Sequence, residues 1–348
     1  MDALLIEKRS IDTHDTIYDQ LGELMKIRNP TQKLSTEERD RLIAGHVHAS
    51  GVDITDYGVW VYYPWLNKIV HLLDEDEFIE VRTNRNVYKI TFEEVQQLRQ
   101  KKIGIIGLSV GQSVALTMAM ERICGELRLG DFDTLELSNM NRIRAAVHQL
   151  GENKTIITAR QIAELDPYIK VTCYSEGVTF QNLTAFLTQD GTLDMLVEEC
   201  DGIDMKILSR LKARELGIPV VMDTNDKGML DIERFDLERN RPLFHGRLPD
   251  IEHEPVEQLA EKLKDLSIQQ KIQYLIAIIG LENISDAMHR SLQEMNKTIV
   301  GWPQVASAVM LGGAMVTDVT RRALLGRLTV SGRYFIDLED LIQETNID

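Results

Sequence analysis

Apolar and polar positions alternate in blocks between residues 102 and 236, where short apolar runs are followed by segments with helical spacing. Nearly continuous apolar runs are typical of parallel strands buried on both faces, and the segments between them are long enough for crossover helices. The pattern predicts an α/β fold with a Rossmann-like, mostly parallel sheet and helices on both faces. The predicted strands are residues 102–107, 126–131, 169–175, 193–199 and 218–223, and the predicted helices are residues 111–123, 153–165, 179–188 and 204–216.

The pattern differs before this region, and we predict an N-terminal α+β extension over residues 1–80 followed by a main domain over residues 81–348. Helical apolar spacing covers residues 13–27, and Ser35-Thr36-Glu37-Glu38 has the order of a capping box that begins a second helix. The aromatic segment 56–73 alternates in part between apolar and polar positions, which predicts a β-hairpin.

Beyond the alternating region, residues 254–296 are rich in Leu, Ile, Glu, Lys and Gln and predict a helical insertion of two helices divided near Gly280. Residues 305–325 predict a further helix that carries many small side chains, which allow close packing in the core or at a subunit interface. A pair of strands is predicted over residues 327–338.

Composition limits the classes of function. The formal net charge is −16 among 348 residues, which argues against a nucleic-acid-binding protein with a broad basic face. Three cysteines with no CxxC pair exclude a four-cysteine zinc site within the chain and favour a reducing compartment. The first residues, MDALLIEKRS, lack a signal-peptide core, and no apolar run approaches the length of a membrane span. We therefore expect a cytoplasmic protein without membrane contacts.

The turn after the first predicted strand has the residues of a nucleotide-binding loop. Gly107 and Gly111 flank Ser109, and glycine permits a tight turn where the N–H groups of a helix start face phosphate. Ser109 stands where a second glycine is expected, and a tight turn without a ligand is the alternative. Asp131 follows the second predicted strand, where an acid hydrogen-bonds ribose hydroxyls in dinucleotide-binding folds. These features fit NAD and ATP equally well.

Polar and cationic residues behind the second strand favour ATP over NAD. Asn139, Arg142 and Lys154 follow Asp131 within a short distance, and Arg144 lies beside them. Guanidinium and ammonium groups offset the charge of a triphosphate, which a hydride-transferring dehydrogenase does not need.

The pattern strand–GLSVG–helix–DFDTLELSNMNR–GxxK resembles the ubiquitin-activating-enzyme-like family, also called the ThiF/MoeB/HesA adenylyltransferases. The resemblance covers about residues 80–240. It implies binding of ATP and Mg²⁺, and attack of a carboxylate on the α-phosphate to give an acyl adenylate and pyrophosphate. It also implies a homodimer. The residues that it implies for nucleotide binding are Gly107, Ser109, Gly111, Asp131, Asp133, Asn139, Arg142 and Lys154.

The resemblance implies a further catalytic arginine from the segment before the first strand, often across a dimer. The first candidate for this arginine is Arg85, and Arg82 is the alternative. The predicted catalytic residues are thus Arg142, Lys154 and Arg85. The family's magnesium carboxylate corresponds to Asp201 or Asp204, because this chain reads EECDGID where the family has an Asp-Cys-x-Asp cluster. No cysteine follows Cys200, so a thioester step is not expected.

We therefore predict an ATP-dependent adenylyltransferase that activates a carboxylate. The acceptor is predicted to be the C-terminus of a small ubiquitin-like carrier protein or a small acid; a peptide C-terminus and a modified nucleoside in RNA stay open. The alternatives are an NAD-dependent oxidoreductase and an inactive scaffold related to the adenylyltransferases.

Overall fold

The computed structural model describes residues 11–342, which divide into two compact units, residues 11–92 and 93–342. The first unit is a three-stranded sheet with three helices. Its strands lie in the order β1-β3-β2, with β1 parallel and β2 antiparallel to β3. The elements are β1 (Asp12–Asp15), α1 (Ile17–Arg28), α2 (Thr36–Ser50), β2 (Val59–Tyr63), β3 (Lys68–Leu72) and α3 (Glu75–Thr83).

Three sequence predictions for this unit can be compared with the structure. The hairpin is confirmed as β2 and β3, and the capping box is confirmed because Ser35 accepts from the N–H of Glu38, whose side chain accepts from Ser35. The helix predicted over residues 13–27 was wrong at its start, because residues 12–15 instead pair with β3. The core of the unit consists mainly of apolar side chains from α1, α2 and the end of β3. Its members include Leu21, Leu24, Ile43 and Leu73.

The second unit contains a seven-stranded sheet in the order β10-β9-β8-β7-β4-β5-β6. The five strands from β8 to β6 are parallel, and β9 and β10 add antiparallel pairs at one edge. Its strands are β4 (Lys102–Ile106), β5 (Glu126–Gly130), β6 (Lys170–Tyr174), β7 (Met195–Glu198), β8 (Val220–Thr224), β9 (Met229–Glu233) and β10 (Gly332–Phe335).

Helices cover the sheet, as the alternating pattern predicts. The first helices of the unit are α4 (Phe92–Leu98), α5 (Leu108–Glu121), α6 (Lys154–Leu165), α7 (Leu183–Thr188) and α8 (Ile203–Leu216). The predicted fold class is confirmed, and each of the five predicted strands is present within three residues of its expected ends. The strand order reverses between β4 and β7, so a crevice forms outside the carboxyl ends of these two strands.

Two predictions for the C-terminal part were wrong. The insertion contains three helices, because a capping box between Ser267 and Gln270 begins a new helix before the break at Gly280. Residues 327–338 contain one strand, β10, whose partner is β9; the sequence reading missed β9. The helices of this part are α9 (Val256–Lys264), α10 (Ile268–Ile279), α11 (Asp286–Glu294), α12 (Ala306–Leu324) and α13 (Leu338–Leu341).

The small side chains of α12 are explained by packing within the unit. A Cβ atom on Gly313 would lie 2.5 Å from Ser113 Oγ on α5, and one on Gly312 would lie 2.1 Å from Asp223 Oδ2 at the end of β8. Of the two alternatives for this helix, the structure therefore shows core packing, and the homodimer stays a prediction. Within residues 11–342, no helix has the length and apolarity that crossing a membrane requires.

A buried ionic network joins the end of β7 to α8 and β9. Glu198 is fully buried and accepts hydrogen bonds from Lys206 Nζ at 2.9 Å and from Arg210 Nη1. Arg210 also donates from Nε to Glu233 Oε2 at 2.7 Å. Burial raises the pKa of Glu198, but the two cations outweigh it and bring that pKa down to about 2. The network therefore holds a charged carboxylate under the crevice.

We expect Arg210→Ala to lower the free energy of unfolding by about 3–5 kcal/mol, because it leaves the buried carboxylate of Glu233 without its cation and Glu198 with Lys206 alone. Lys212→Ala, on the same helix, is the matched control: its pair with Glu215 is largely exposed, and we expect a loss of about 1 kcal/mol or less. Urea unfolding at neutral pH measures both values. Equal losses in the two variants would contradict the role given to the network.

Candidate functional site

The turn between β4 and α5 requires glycine at position 107. Gly107 has a φ of +88°, and a Cβ there would lie 2.7 Å from the backbone oxygen of Glu199 and 2.8 Å from the backbone nitrogen of Cys200. The turn therefore packs directly against the end of β7 and opens the start of α5 toward the crevice. Gly111 has a different role, since a Cβ there would meet Ile105 at 2.7 Å. It permits close packing of helix on strand.

Asp131 holds the start of α5 and the following loop together. Its Oδ2 accepts from the backbone N–H of Leu108 at 2.6 Å, and its Oδ1 accepts from that of Asp133 at 2.8 Å. Burial raises the pKa of Asp131, and the cation of Lys154 and these N–H groups act in the opposite direction. Each carboxylate oxygen keeps a lone pair for a further donor, such as a ribose hydroxyl.

Lys154 is the buried cation of the site. It is the first residue of α6 and is 4% exposed, and its Nζ donates to Asp133 Oδ2 at 2.8 Å and to Ser109 Oγ at 3.2 Å. A cation at a helix N-terminus opposes the helix dipole, and the carboxylate of Asp133 offsets this. Ser109, which stands where the sequence analysis expected a glycine, thus serves as an acceptor for the lysine.

Arg142 has an unsatisfied polar atom. Its Nη1 donates to Asn141 Oδ1 at 2.9 Å, whereas its Nε is buried and has no hydrogen-bond partner among the described residues. Burial lowers the pKa of Arg142, and the charge of Asp201 opposes this shift. Asn139 fixes the preceding turn, because its Oδ1 accepts from the N–H of Glu136 at 3.1 Å. An orphaned guanidinium N–H of this kind fits an anionic ligand.

A cavity of about 540 Å³ brings four of the eight predicted nucleotide-binding residues together with the two candidate magnesium carboxylates. It extends from the glycine turn and the end of β5 to the start of α8, and helices α9 and α10 of the insertion border it. The predicted site residues on its wall are Gly107, Ser109, Asp131, Asp133, Asp201 and Asp204. Lys154 contacts two of these residues, whereas Asn139 and Arg142 lie on the loop behind Asp133.

The two candidate magnesium carboxylates lie beside each other on this wall. Asp201 is exposed, and Asp204 is in the first turn of α8. No group of three or more His, Cys, Asp or Glu side chains within residues 11–342 has a metal-binding arrangement. Magnesium is commonly held by one or two carboxylates together with substrate phosphates, so these residues fit that mode of binding and not a site built of protein ligands alone.

Three other residues from the sequence analysis have clear positions. Cys200 donates from Sγ to Glu198 Oε1 at 3.0 Å, and burial followed by the Glu198 charge raises the pKa of its thiol well above the usual value. A thiol with a raised pKa is a poor nucleophile. Arg85 lies in a short turn after α3 and is exposed, and Arg82 is in the last turn of α3. Both belong to the first unit, and their catalytic role stays a prediction.

The sequence reading missed a pair of buried acids at the ends of β7 and β8. Glu199 Oε1 accepts from the backbone N–H of Asp223 at 3.1 Å, and both side chains are buried. Burial and the Asp223 charge raise the pKa of Glu199 well above its usual value, and burial raises the pKa of Asp223 to about 6. The signal in the sequence was an acid at the carboxyl end of each of two neighbouring apolar strands, Glu199 just after β7 and Asp223 near the end of β8, which places both at one sheet edge.

The model of the ThiF family matches residues 82–298, which confirms the resemblance. An uncharacterized protein, MT1398, of Mycobacterium tuberculosis (strain CDC 1551 / Oshkosh) is 42% identical over 279 residues, 80% of this chain and 38% of that protein. The tRNA threonylcarbamoyladenosine dehydratase 2 of Saccharomyces cerevisiae (strain ATCC 204508 / S288c) is 25% identical over 200 residues, 57% of this chain and 43% of that protein. The chain thus spans less than half the length of these curated relatives.

A solved structure has the same fold. The crystal structure of the tRNA N6-threonylcarbamoyladenosine dehydratase TcdA of E. coli in complex with AMP matches with a TM-score of 0.51 and 17% identity, over 74% of this chain and 98% of that chain. At this level of identity the likeness shows the α/β fold and nothing further.

We expect Gly107→Ala to lower the free energy of unfolding by about 2–5 kcal/mol, because it combines a disfavoured backbone conformation with overpacking against β7. Gly151→Ala is the matched control, since Gly151 has a φ of +85° but a Cβ there would meet no heavy atom within 4 Å. There we expect only the conformational cost of about 1–2 kcal/mol. Urea unfolding compares the two, and a smaller loss for Gly107→Ala would contradict the close approach.

The acid pair predicts a pH dependence of stability. The pKa of Asp223 is raised in the folded state. Its contribution to the free energy of unfolding is therefore fully present below pH 3.8 and is lost as the pH rises through about 6. We expect the wild-type melting temperature to fall more between pH 5 and pH 8 than that of Asp223→Asn, which carries no such charge. Asp250→Asn removes an exposed carboxylate and should follow the wild type. Identical pH profiles for wild type and Asp223→Asn would contradict this account.

Proposed function

The chain belongs to the ThiF family, and on this premise we propose that it is an ATP-dependent adenylyltransferase that activates a carboxylate as an acyl adenylate. The observation that carries the proposal is a pair of cations, Lys154 and Arg142, behind the wall of the crevice. Lys154 is held between Ser109 and Asp133, and the buried Nε of Arg142 has no partner among the residues described. Two cations beside the start of a helix suit the phosphates of a nucleoside triphosphate.

The predicted site residues have the following roles in this proposal. The N–H groups at the start of α5, with Arg142 and Lys154, would bind the phosphates, and Asn139 would fix the loop that carries Arg142. Asp131 and Asp133 would accept hydrogen bonds from the ribose. Asp201 or Asp204 would hold Mg²⁺, which supplies further positive charge for the departing pyrophosphate. TcdA, which has the same fold, was solved in complex with AMP, which supports a nucleotide as the ligand.

The reaction needs positioning and charge stabilisation more than covalent chemistry from the protein. An acceptor carboxylate oxygen forms a bond to the α-phosphorus, and the bond from that phosphorus to the bridging oxygen breaks. Pyrophosphate leaves with the electron pair of that bond. Lys154 and Arg142 would stabilise the charge that develops on the phosphate oxygens. Arg85 is proposed to add a further cation, and the proposed homodimer is one way in which it could reach the site.

The class of acceptor is also a proposal. The name of the yeast relative refers to a modified nucleoside of tRNA, but the net charge of −16 disfavours binding of a polyanion. We therefore favour a small acid, a peptide C-terminus or a small carrier protein. Cys200 has the pKa of an inert thiol, which supports adenylation without a following thioester.

Thermal unfolding with ATP·Mg²⁺, with NAD⁺ and without ligand tests the proposal. A ligand that binds only the folded state stabilises it by about 2.7 kcal/mol at a hundred times its Kd, which gives a measurable shift in Tm. We expect a shift with ATP·Mg²⁺ that Arg142→Ala loses and that Arg160→Ala keeps. Arg160 on α6 is the matched control, because its guanidinium is already paired with Glu152 at 2.9 Å.

The other outcomes would each contradict part of the proposal. A shift with NAD⁺ alone would favour a dehydrogenase, and no shift with either ligand would favour an inactive scaffold. Once an acceptor is in hand, Arg142→Ala should slow AMP formation by about 10²–10³-fold, as the loss of one preorganised donor does. Unchanged AMP formation would refute the role of Arg142.

A further inference from the structure

A second cavity, of about 150 Å³, lies beside the nucleotide crevice. It lies between the ends of β7 and β8, helices α10 and α11 of the insertion, and the segment 302–304. Its wall is mostly aliphatic. The main apolar side chains that line it are Ile272, Leu275, Ile276, Ile279, Met288 and Leu292. An apolar cavity of this volume can hold a group as large as benzene.

One wall of this cavity carries the buried acid pair. Asp223 is 6% exposed and lines the cavity, and no donor within residues 11–342 hydrogen-bonds to Oδ1 or Oδ2. Gly312 lies directly behind it, since a Cβ there would be 2.1 Å from Oδ2. A buried carboxylate without a donor calls for a ligand N–H group.

The two cavities share a wall. Glu199, Cys200 and Asp201 line both the apolar cavity and the nucleotide crevice. Helix α11 is held against this edge of the sheet, because Asp226 accepts from the N–H of Ser285 at 2.8 Å and from its hydroxyl at 2.6 Å. The apolar cavity therefore lies directly next to the crevice, with only these three of the described residues common to both.

We propose that the acceptor is the α-carboxylate of an amino acid with a large apolar side chain, either free or at the C-terminus of a peptide. The side chain fills the cavity formed by α10 and α11, the α-N–H group donates to the acid pair, and the carboxylate faces the nucleotide. This inference rests on the proposed adenylylation, and it specifies the substrate of that reaction. Bond formation and cleavage are those given above, with pyrophosphate as the leaving group.

Exchange of radiolabelled pyrophosphate into ATP tests the proposal with the full chain. The panel contains L-leucine, L-phenylalanine, glycine, L-aspartate, and tripeptides that end in leucine or in glycine. We expect exchange with the apolar acids or with the leucine-ended tripeptide to exceed that with the glycine counterpart by at least about 100-fold, since each missing methylene costs about 10–200-fold. The free and peptide arms distinguish the two sources of the carboxylate.

Variants test the cavity and the acid separately. Ile276→Trp fills the cavity and should abolish exchange with leucine, whereas Leu281→Trp is the matched control, because Leu281 is 50% exposed after α10. Asp223→Asn should raise the KM for leucine at least about tenfold, with the KM for ATP unchanged. The melting shift with ATP·Mg²⁺ must persist in all three variants, which shows that they are folded and bind nucleotide.

The results separate this inference from the proposed function. If ATP·Mg²⁺ raises the melting temperature but only glycine-ended or acidic carboxylates support exchange, or none of the panel does, the inference is overturned and adenylylation stands. Equal exchange by Ile276→Trp and wild type would also overturn it. If ATP·Mg²⁺ gives no shift in the wild type, the proposed function fails, and this inference fails with it.

Discussion

The carboxylate of Glu198 is the constraint on which the rest of the second unit depends. Glu198 is the last residue of β7 and is fully buried. Its carboxylate accepts hydrogen bonds from Lys206 and Arg210 of α8 and from the backbone N–H of Cys200. Removing such a charge from water costs several kcal/mol, which only well-placed cations and N–H groups can offset. The network therefore permits one arrangement of α8 against β7 and fixes residues 199–201 between them.

Those three residues form the wall between two cavities of opposite character. The nucleotide crevice is bordered by polar groups and helix starts, whereas the neighbouring cavity is lined by the aliphatic side chains of α10 and α11. Gly107 packs on this wall from the crevice side, and Asp223 meets it from β8. A shift of the wall would thus alter both cavities together. This explains why a buried ionic network, costly in itself, lies at this point of the fold.

The sequence alone was sufficient to predict the parts of the structure that depend on a local pattern of residues. Strands β4 to β8 are apolar runs between turn residues, and the loop from Asp131 to Arg142 has a distinctive order of residues. The missed features depend on contacts between distant segments. Strand β9 carries the acids Asp231 and Glu233, which are buried because Arg333 and Arg210 pair with them. The acid pair likewise required the register of β7 and β8. The break within the insertion is an exception, because the capping box between Ser267 and Gln270 is local and has a recognisable order of residues.

The charge of the crevice in the free protein follows from the contacts of Lys154 and Arg142. Lys154 already has the carboxylate of Asp133 at 2.8 Å, so this pair adds no net charge. Arg142 is only partly compensated, because Asp201 acts on it through electrostatic attraction and its Nε lacks a hydrogen bond within the described chain. In a protein with a net charge of −16, an anion approaches against the overall field and is attracted only near such a locally uncompensated cation. Under the proposed function, Arg142 would therefore give the first favourable contact for a phosphate, and Lys154 would contribute once Asp133 binds a ribose in place of the ammonium.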